Sequence, residues 1–246
     1  MKYQNKISVS VMCSDLLNLE KDIRILEEKG VDMLHVDVMD AHFVPNLTFG
    51  PDFIKAMQAH TKLPVDAHFM VDDPELMFGK LQLRKGDIFT AHVELKDPQT
   101  GNLRSYKKLS EDIHSTGALF GLAVNPETPV ETLEANLPNI DTVTLMLVHP
   151  GFAGAKLVEG ILDKVSVARK YLDSKGYEKI EISVDGSVSA ERAHLMAEMG
   201  ASIFVGGTAG IYRKGMELKR HYSCLQGRNH PLVHFYQIIP LSREQS

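Results

Sequence analysis

His35-Val36-Asp37, Ala67-His68-Phe69-Met70 and Ser183-Val184-Asp185-Gly186 each set titratable side chains at the end of a short apolar run. Alternate side chains of a strand share a face, so His35 and Asp37 point the same way. Imidazole and carboxylate together suit one divalent metal ion, with Zn, Fe(II), Mn and Co all compatible. A single buried histidine is more often a hydrogen-bonded core residue than a ligand. Two histidines and two aspartates at three run ends favour a site, because buried carboxylates need compensating partners. His92-Val93-Glu94 repeats the spacing on another run. It reads equally well as support behind such a site and as a structural hydrogen-bonding pair.

Three glycine turns carry a second kind of chemistry. They are Pro150-Gly151-Phe152-Ala153-Gly154, Asp185-Gly186-Ser187 and Gly206-Gly207-Thr208-Ala209-Gly210. Backbone N–H groups in such turns hold a phosphate without a basic patch. Each turn alone is weak, since glycine also ends strands for steric reasons. His149, beside Pro150, either lines the same pocket or stands outside it. Met39, Met70 and Met146 fall at or just beyond run ends. On pattern alone they are core filler, with an apolar pocket lining as the alternative.

These residues need elements to position them. Eight β-rich runs are readable: Ile7–Met12, Met33–Val38, Leu63–Phe69, Ile88–Val93, Ala118–Val124, Thr142–Val148, Ile180–Asp185 and Ser202–Val205. Helical patterns such as Leu16–Glu28 and Ala190–Met199 lie between them, and Gly30, Gly86, Gly117, Gly176 and Gly200 mark their ends. Eight βα repeats in about 250 residues is the arithmetic of a (β/α)8 TIM barrel of α/β class, whose sites form at the C-terminal strand ends. A doubly wound sheet is the structural alternative. It would carry G-x-G-x-x-G after its first strand, where Met12-Cys13-Ser14-Asp15 stands instead. Residues 1–220 are read as one barrel domain, and 221–246 as a C-terminal tail, loosely packed or an arm for a second subunit.

Composition narrows the partners. The chain has 246 residues, 43% hydrophobic and 24% charged, which excludes disorder and a disulfide scaffold. With 27 basic against 32 acidic residues it carries −5, the wrong sign for nucleic acid. No apolar stretch is long enough to span a membrane. Cys13 and Cys224 match no zinc spacing and fit a reducing compartment, so a cytoplasmic protein is expected.

Ile7-Ser8-Val9-Ser10, His35 through Asn46, Asp66-Ala67-His68-Phe69-Met70-Val71, Asn125-Pro126-Glu127-Thr128-Pro129, the Pro150–Gly154 turn and Val184-Asp185-Gly186-Ser187 resemble, in order and spacing, the ribulose-phosphate 3-epimerase family. The resemblance runs from about Lys6 to Tyr212. It implies a (β/α)8 barrel of the ribulose-phosphate-binding type and an isomerase that epimerises C3 of a ketose phosphate through an enediolate. His35, Asp37, His68 and Asp185 match the family's metal ligands, and Asp37 and Asp185 its two acid–base residues. Ser10 matches a substrate-contacting serine. Met39, Met70 and Met146 match pocket methionines, which reverses the core-filler reading. Gly151, Phe152, Ala153, Gly154, Gly186, Ser187, Gly206, Gly207 and Thr208 are the expected substrate contacts.

Within the family the chain is similar to the D-allulose-6-phosphate branch, through Val11–Leu17, Asn125–Glu131 and Gly207–Gly210. Val9 stands where a proline is usual, Ala41 for glycine, Ala155 for glutamine and His149 for Asn, Asp or Glu. A degenerate sugar-phosphate-binding paralogue and a metal-free phosphate-binding lyase are the alternative functions. Barrels of this kind often self-associate, so a homo-oligomer is expected.

Overall fold

The structure is a computed structural model that describes residues 4–212. Eight parallel strands close into a barrel in chain order. They are β1 (Lys6–Ser10), β2 (Met33–Met39), β3 (Val65–Met70), β4 (Ile88–His92), β5 (Leu119–Val124), β6 (Thr142–Met146), β7 (Glu181–Asp185) and β8 (Ile203–Gly206). Closure is made where Lys6 and Ile7 of β1 pair with Ile203 and Phe204 of β8. All seven residues of β2 and all six of β3 are buried. Parallel strands covered on both faces read as near-continuous apolar runs, and polar residues within them stand out for that reason.

Around the barrel lie α1 (Leu19–Glu28), α2 (Pro51–His60), α3 (Pro74–Phe78), α4 (Lys107–Ser115), α5 (Asp163–Ser174) and α6 (Ala190–Glu198). Each turns a short apolar face inward: Ile23 and Leu26 of α1, Leu109 and Ile113 of α4, Val165, Ala168 and Leu172 of α5. The helix starts are chemically marked. Asp73 accepts the Leu76 N–H ahead of α3, and Ser189 accepts that of Arg192 ahead of α6. Between β5 and β6 the segment Val130–Asn139 is a 3₁₀ helix containing Pro138. A proline ring inside an α-helix would collide with the carbonyl four residues back, and the tighter winding avoids it.

All eight expected runs are strands, with shifted ends. β1 stops at Ser10 rather than Met12, because Val11–Cys13 winds into a 3₁₀ turn closed by Ser14 N–H on Val11 O. α1 begins at Leu19 rather than Leu16, since Asp15 accepts the Leu17 N–H and the Asn18 amide and makes a turn of that stretch. Gly30, Gly117, Gly176 and Gly200 follow helices with positive φ, as expected. Gly86 also has positive φ, but sits in a turn ahead of β4 and ends no helix. The expected tail, 221–246, lies outside the described residues.

The register stacks the unusual residues in rows. Across β2 and β3, His35 pairs with Asp66, Asp37 with His68 and Met39 with Met70, rising toward the C-terminal mouth. Ser10 aligns with His35 on one side, and Met146 with Asp185 on the other. At the opposite end Lys6 Nζ meets Glu181 Oε1 at 2.6 Å and closes the barrel floor.

Ala41 follows β2 with φ of +63°, in the left-handed region. Its N–H bonds Asn46 O, while the Asp40 carboxylate accepts the N–H groups of His42 and Phe43. A Cβ in that region costs roughly 1–2 kcal/mol, and glycine's extra unfolded freedom returns part of it. Ala41→Gly is therefore expected to stabilise the protein by about 0.5–1 kcal/mol, read as a higher midpoint in urea denaturation. A lower midpoint would contradict this account of the turn.

Candidate active site

β2, β3 and β7 bring His35, Asp37, His68 and Asp185 together at the mouth. One nitrogen or oxygen from each lies within 4.8 Å of the others. His35 Nε2 is 3.2 Å from Asp37 Oδ1 and 3.8 Å from Asp185 Oδ2. His68 Nδ1 is 3.5 Å from Asp37 Oδ1 and 3.7 Å from Asp185 Oδ2. The two imidazoles thus turn opposite nitrogens toward one centre shared with two carboxylates.

The outward nitrogens are held from behind. His35 Nδ1 lies 2.8 Å from Asp66 Oδ2, which also accepts the Ser8 hydroxyl at 2.8 Å. His68 Nε2 lies 2.9 Å from His92 Nε2, and His92 Nδ1 3.0 Å from Glu94 Oε2. Ser10 Oγ donates to Asp37 Oδ2 at 3.1 Å, holding the carboxylate from the side away from His35. His92 and Glu94 therefore lie directly behind His68, linked to it and to each other by hydrogen bonds.

Charge in the cluster is negative in excess. Burial disfavours the imidazolium of His35, yet the carboxylates of Asp66 and Asp37 outweigh it and raise its pKa well above 6.5. His68 is raised in the same way, burial being overcome by the nearby carboxylates of Asp185 and Asp37. Asp37 is buried too, but both histidines hold it well below the usual carboxylate range. His92 behaves differently: burial outweighs Glu94 and brings it down to about 4, so its ring is neutral at pH 7. The field that draws protons onto His35 and His68 would also draw a divalent cation. His68 Nδ1 is buried without a hydrogen-bond partner, as a ligand atom would be. The donor set therefore fits a metal.

Above the cluster opens a cleft. Its walls include Ser10, Asp37, Asp185, Met39, Met70 and Met146, and its far side Gly151–Ala155, Gly186, Ser187, Gly207 and Thr208. The methionines are buried: Met39 and Met70 form an apolar row directly above Asp37 and His68, and Met146 stands level with Asp185. The glycine turns converge: a Cβ on Gly154 would lie 3.7 Å from Thr208 Oγ1. Gly186 has φ of +102°, and a Cβ there would come within 2.5 Å of Val148 Cγ2, so no other residue fits. Arg192 braces the adjoining turn by donating to Ser187 O and Oγ.

One expected contact differs, and one open reading is resolved. Gly206 is buried in β8, paired with Val9, and does not line the cleft. Its alternation with Gly207 sends it to the other side of the sheet. His149 turns away from the cleft to Glu127, Nε2 to Oε1 at 2.6 Å, and is 68% exposed. Cys13 lines the cleft near Ser10, and burial pushes its thiol pKa up. Sequence reasoning missed Asp66 as a partner for His35, although its spacing two residues before His68 places it on the inward face.

A sequence profile of the ribulose-phosphate 3 epimerase family matches residues 6–211. The chain belongs to the ribulose-phosphate 3-epimerase family. It is accordingly an isomerase of the epimerase kind. It is 35% identical over 204 residues to a ribulose-phosphate 3-epimerase of Bacillus subtilis, covering 83% of this chain and 91% of that one. To one of Rhodobacter capsulatus it is 36% identical over 210 residues, covering 85% and 87%. Among solved structures, the (S)-3-O-geranylgeranylglyceryl phosphate synthase of Thermoplasma acidophilum superposes with a TM-score of 0.58 at 14% identity, over 91% of this chain and 92% of that chain. That likeness is one of fold. Among the described residues no helix is long and apolar enough to cross a membrane.

Proposed function

We propose that this epimerase inverts C3 of a ketose phosphate, interconverting D-ribulose 5-phosphate with D-xylulose 5-phosphate or D-allulose 6-phosphate with D-fructose 6-phosphate. The observation that carries the reading is the pairing of Asp37 and Asp185 around one donor centre beneath a cleft. Inversion next to a carbonyl requires a proton to leave from one face and another to arrive on the opposite face. One fixed base tends to restore the starting configuration. β2 and β7 are not neighbours in the barrel, so Asp37 and Asp185 approach from different walls, one to deprotonate and the other to protonate. The two exchange roles in the reverse direction.

His35, Asp37, His68 and Asp185 would hold one divalent cation, which when bound supplies Lewis acidity to the substrate carbonyl. Ser10 restrains Asp37 and, lining the cleft, is placed to touch the sugar. Met39, Met70 and Met146 keep the reacting carbons out of bulk water with a soft, polarizable surface. The amides of Gly151–Gly154, Gly186–Ser187 and Gly207–Thr208 would receive the phosphate, fixing C3 between the aspartates. The departures from the family pattern spare all of the donors: Val9 packs in the core, Ala41 makes a turn, and His149 pairs with Glu127. Ala155 alone of these lines the cleft.

The two substrates are told apart by kcat/KM on D-ribulose 5-phosphate and D-allulose 6-phosphate with added divalent metal. The better substrate names the activity. Turnover of neither would contradict the reading.

A further inference from the structure

The ring of His68 has two nitrogens with different surroundings. Nδ1 faces Asp37 and Asp185, and Nε2 lies 2.9 Å from Nε2 of His92. Two nitrogens at that distance need one proton between them, so one ring donates and the other accepts. The far side of His92 decides which. His92 Nδ1 lies 3.0 Å from Glu94 Oε2, and an ionised carboxylate only accepts. His92 therefore carries its proton on Nδ1, its Nε2 accepts, and His68 donates from Nε2. When His68 is neutral, the lone pair of its Nδ1 is left pointing at the donor centre.

Each link of this chain is itself fixed. The other oxygen of Glu94 accepts the Asn125 N–H at 2.7 Å. Lys164 Nζ clamps the carbonyls of Asn125, Pro126 and Thr128 at 2.6, 3.0 and 2.7 Å, immobilising the loop that Glu94 rests on. Tyr106 donates its hydroxyl to His92 O at 2.7 Å. The His68 and His92 rings stack with centroids 5.0 Å apart. His35 needs no such chain, because Asp66 binds its Nδ1 directly.

We propose that Glu94 and His92 are positioning residues, which through hydrogen bonds fix the tautomer and orientation of His68 so that Nδ1 serves as a metal ligand. The proposal rests on the metal-centre reading above. Glu94→Gln tests the direction of the relay. Its amide NH2 must face either the Asn125 N–H or His92 Nδ1: facing Asn125 it keeps the relay but sets two donors together, and facing His92 it reverses the relay, so that His68 carries its proton on Nδ1.

Zinc affinity, measured by chelator competition, is expected to fall about 10–100-fold in His92→Leu, and in Glu94→Gln where nitrogen NMR finds the His92 proton moved to Nε2. His92→Gln, whose amide oxygen can accept from His68 Nε2, should recover most of that loss. A purely structural role would lower the melting temperature of these variants and leave zinc affinity alone. In the zinc-loaded parent, nitrogen NMR should find His92 protonated at Nδ1 and bare at Nε2. The opposite tautomer, or zinc binding by His92→Leu within about twofold of the parent, would overturn the relay while leaving the metal centre standing. A parent that binds no divalent cation would instead overturn the metal centre, and the relay with it.

Discussion

Asp37→Asn and Asp185→Asn are each expected to lower epimerisation of the ketose phosphate by about 10²–10⁴-fold or more, the range that a general acid or base contributes. Asparagine keeps the shape of aspartate and can neither take nor return the proton at pH 7. The folded protein should survive either change. An asparagine side chain in place of Asp37 can still bond Ser10 and His35, and the Asp185 side chain is already 15% exposed. The double variant should be scarcely slower than the slower single one, because two groups acting as one unit are not additive. The half-reactions discriminate further. With one carboxylate left, a single face of C3 stays in contact with a base. In deuterated water Asp37→Asn should exchange the C3 hydrogen of one epimer without inverting it, and Asp185→Asn that of the other. Both variants must be assayed at matched metal content, since each also removes a donor. Full epimerisation by either variant would exclude it as an acid–base residue.

Removal of the cation is the second large effect. Lewis-acid stabilisation is worth several kcal/mol, so dialysis against a strong chelator should depress turnover by roughly 10³-fold or more. Zn, Mn, Fe(II) or Co added back in stoichiometric amount should restore it. The bound ion should also raise the melting temperature, because a ligand that binds only the folded state stabilises it. His35, Asp37, His68 and Asp185 come from β2, β3 and β7, so the ion would tie three strands together. Full activity with less than half an equivalent of tightly held metal would favour a metal-free lyase-type mechanism instead.

Much of this is legible in the chain because parallel barrel strands are buried on both faces. In β2 and β3, His35, Asp37, Asp66 and His68 interrupt otherwise apolar runs, and the period of two puts His35 and Asp37 on one side. The meeting of residues from different strands is not legible, because it depends on the stagger between them. Only the register shows that Asp66 sits beside His35 and that Met39 and Met70 form the row above Asp37 and His68. The His68–His92 contact likewise spans two strands and cannot be read from either alone. Local chemistry also moves the element ends: Asp15 holds a turn that delays α1, and Pro138 lies in a segment wound as 3₁₀ rather than α.

Gly206 departs from expectation, and His149 takes the outside of its two open readings, for related reasons. Their neighbours in sequence point both toward the substrate, but a strand alternates and a rim side chain can turn outward. Gly206 is buried against Val9, and His149 finds Glu127. The cleft is instead completed by Met12, Cys13, Val148 and Val188, ordinary apolar or weakly polar residues whose types carry no signal of a site.

The central claim is that Asp37 and Asp185 together remove the C3 proton from one face and deliver another to the opposite face. It is tested most directly by letting the metal-loaded protein turn over its ketose phosphate in deuterated water and locating the label by NMR. The account predicts one solvent deuteron at C3 of every product molecule. Product formed with the original hydrogen retained at C3 would contradict it.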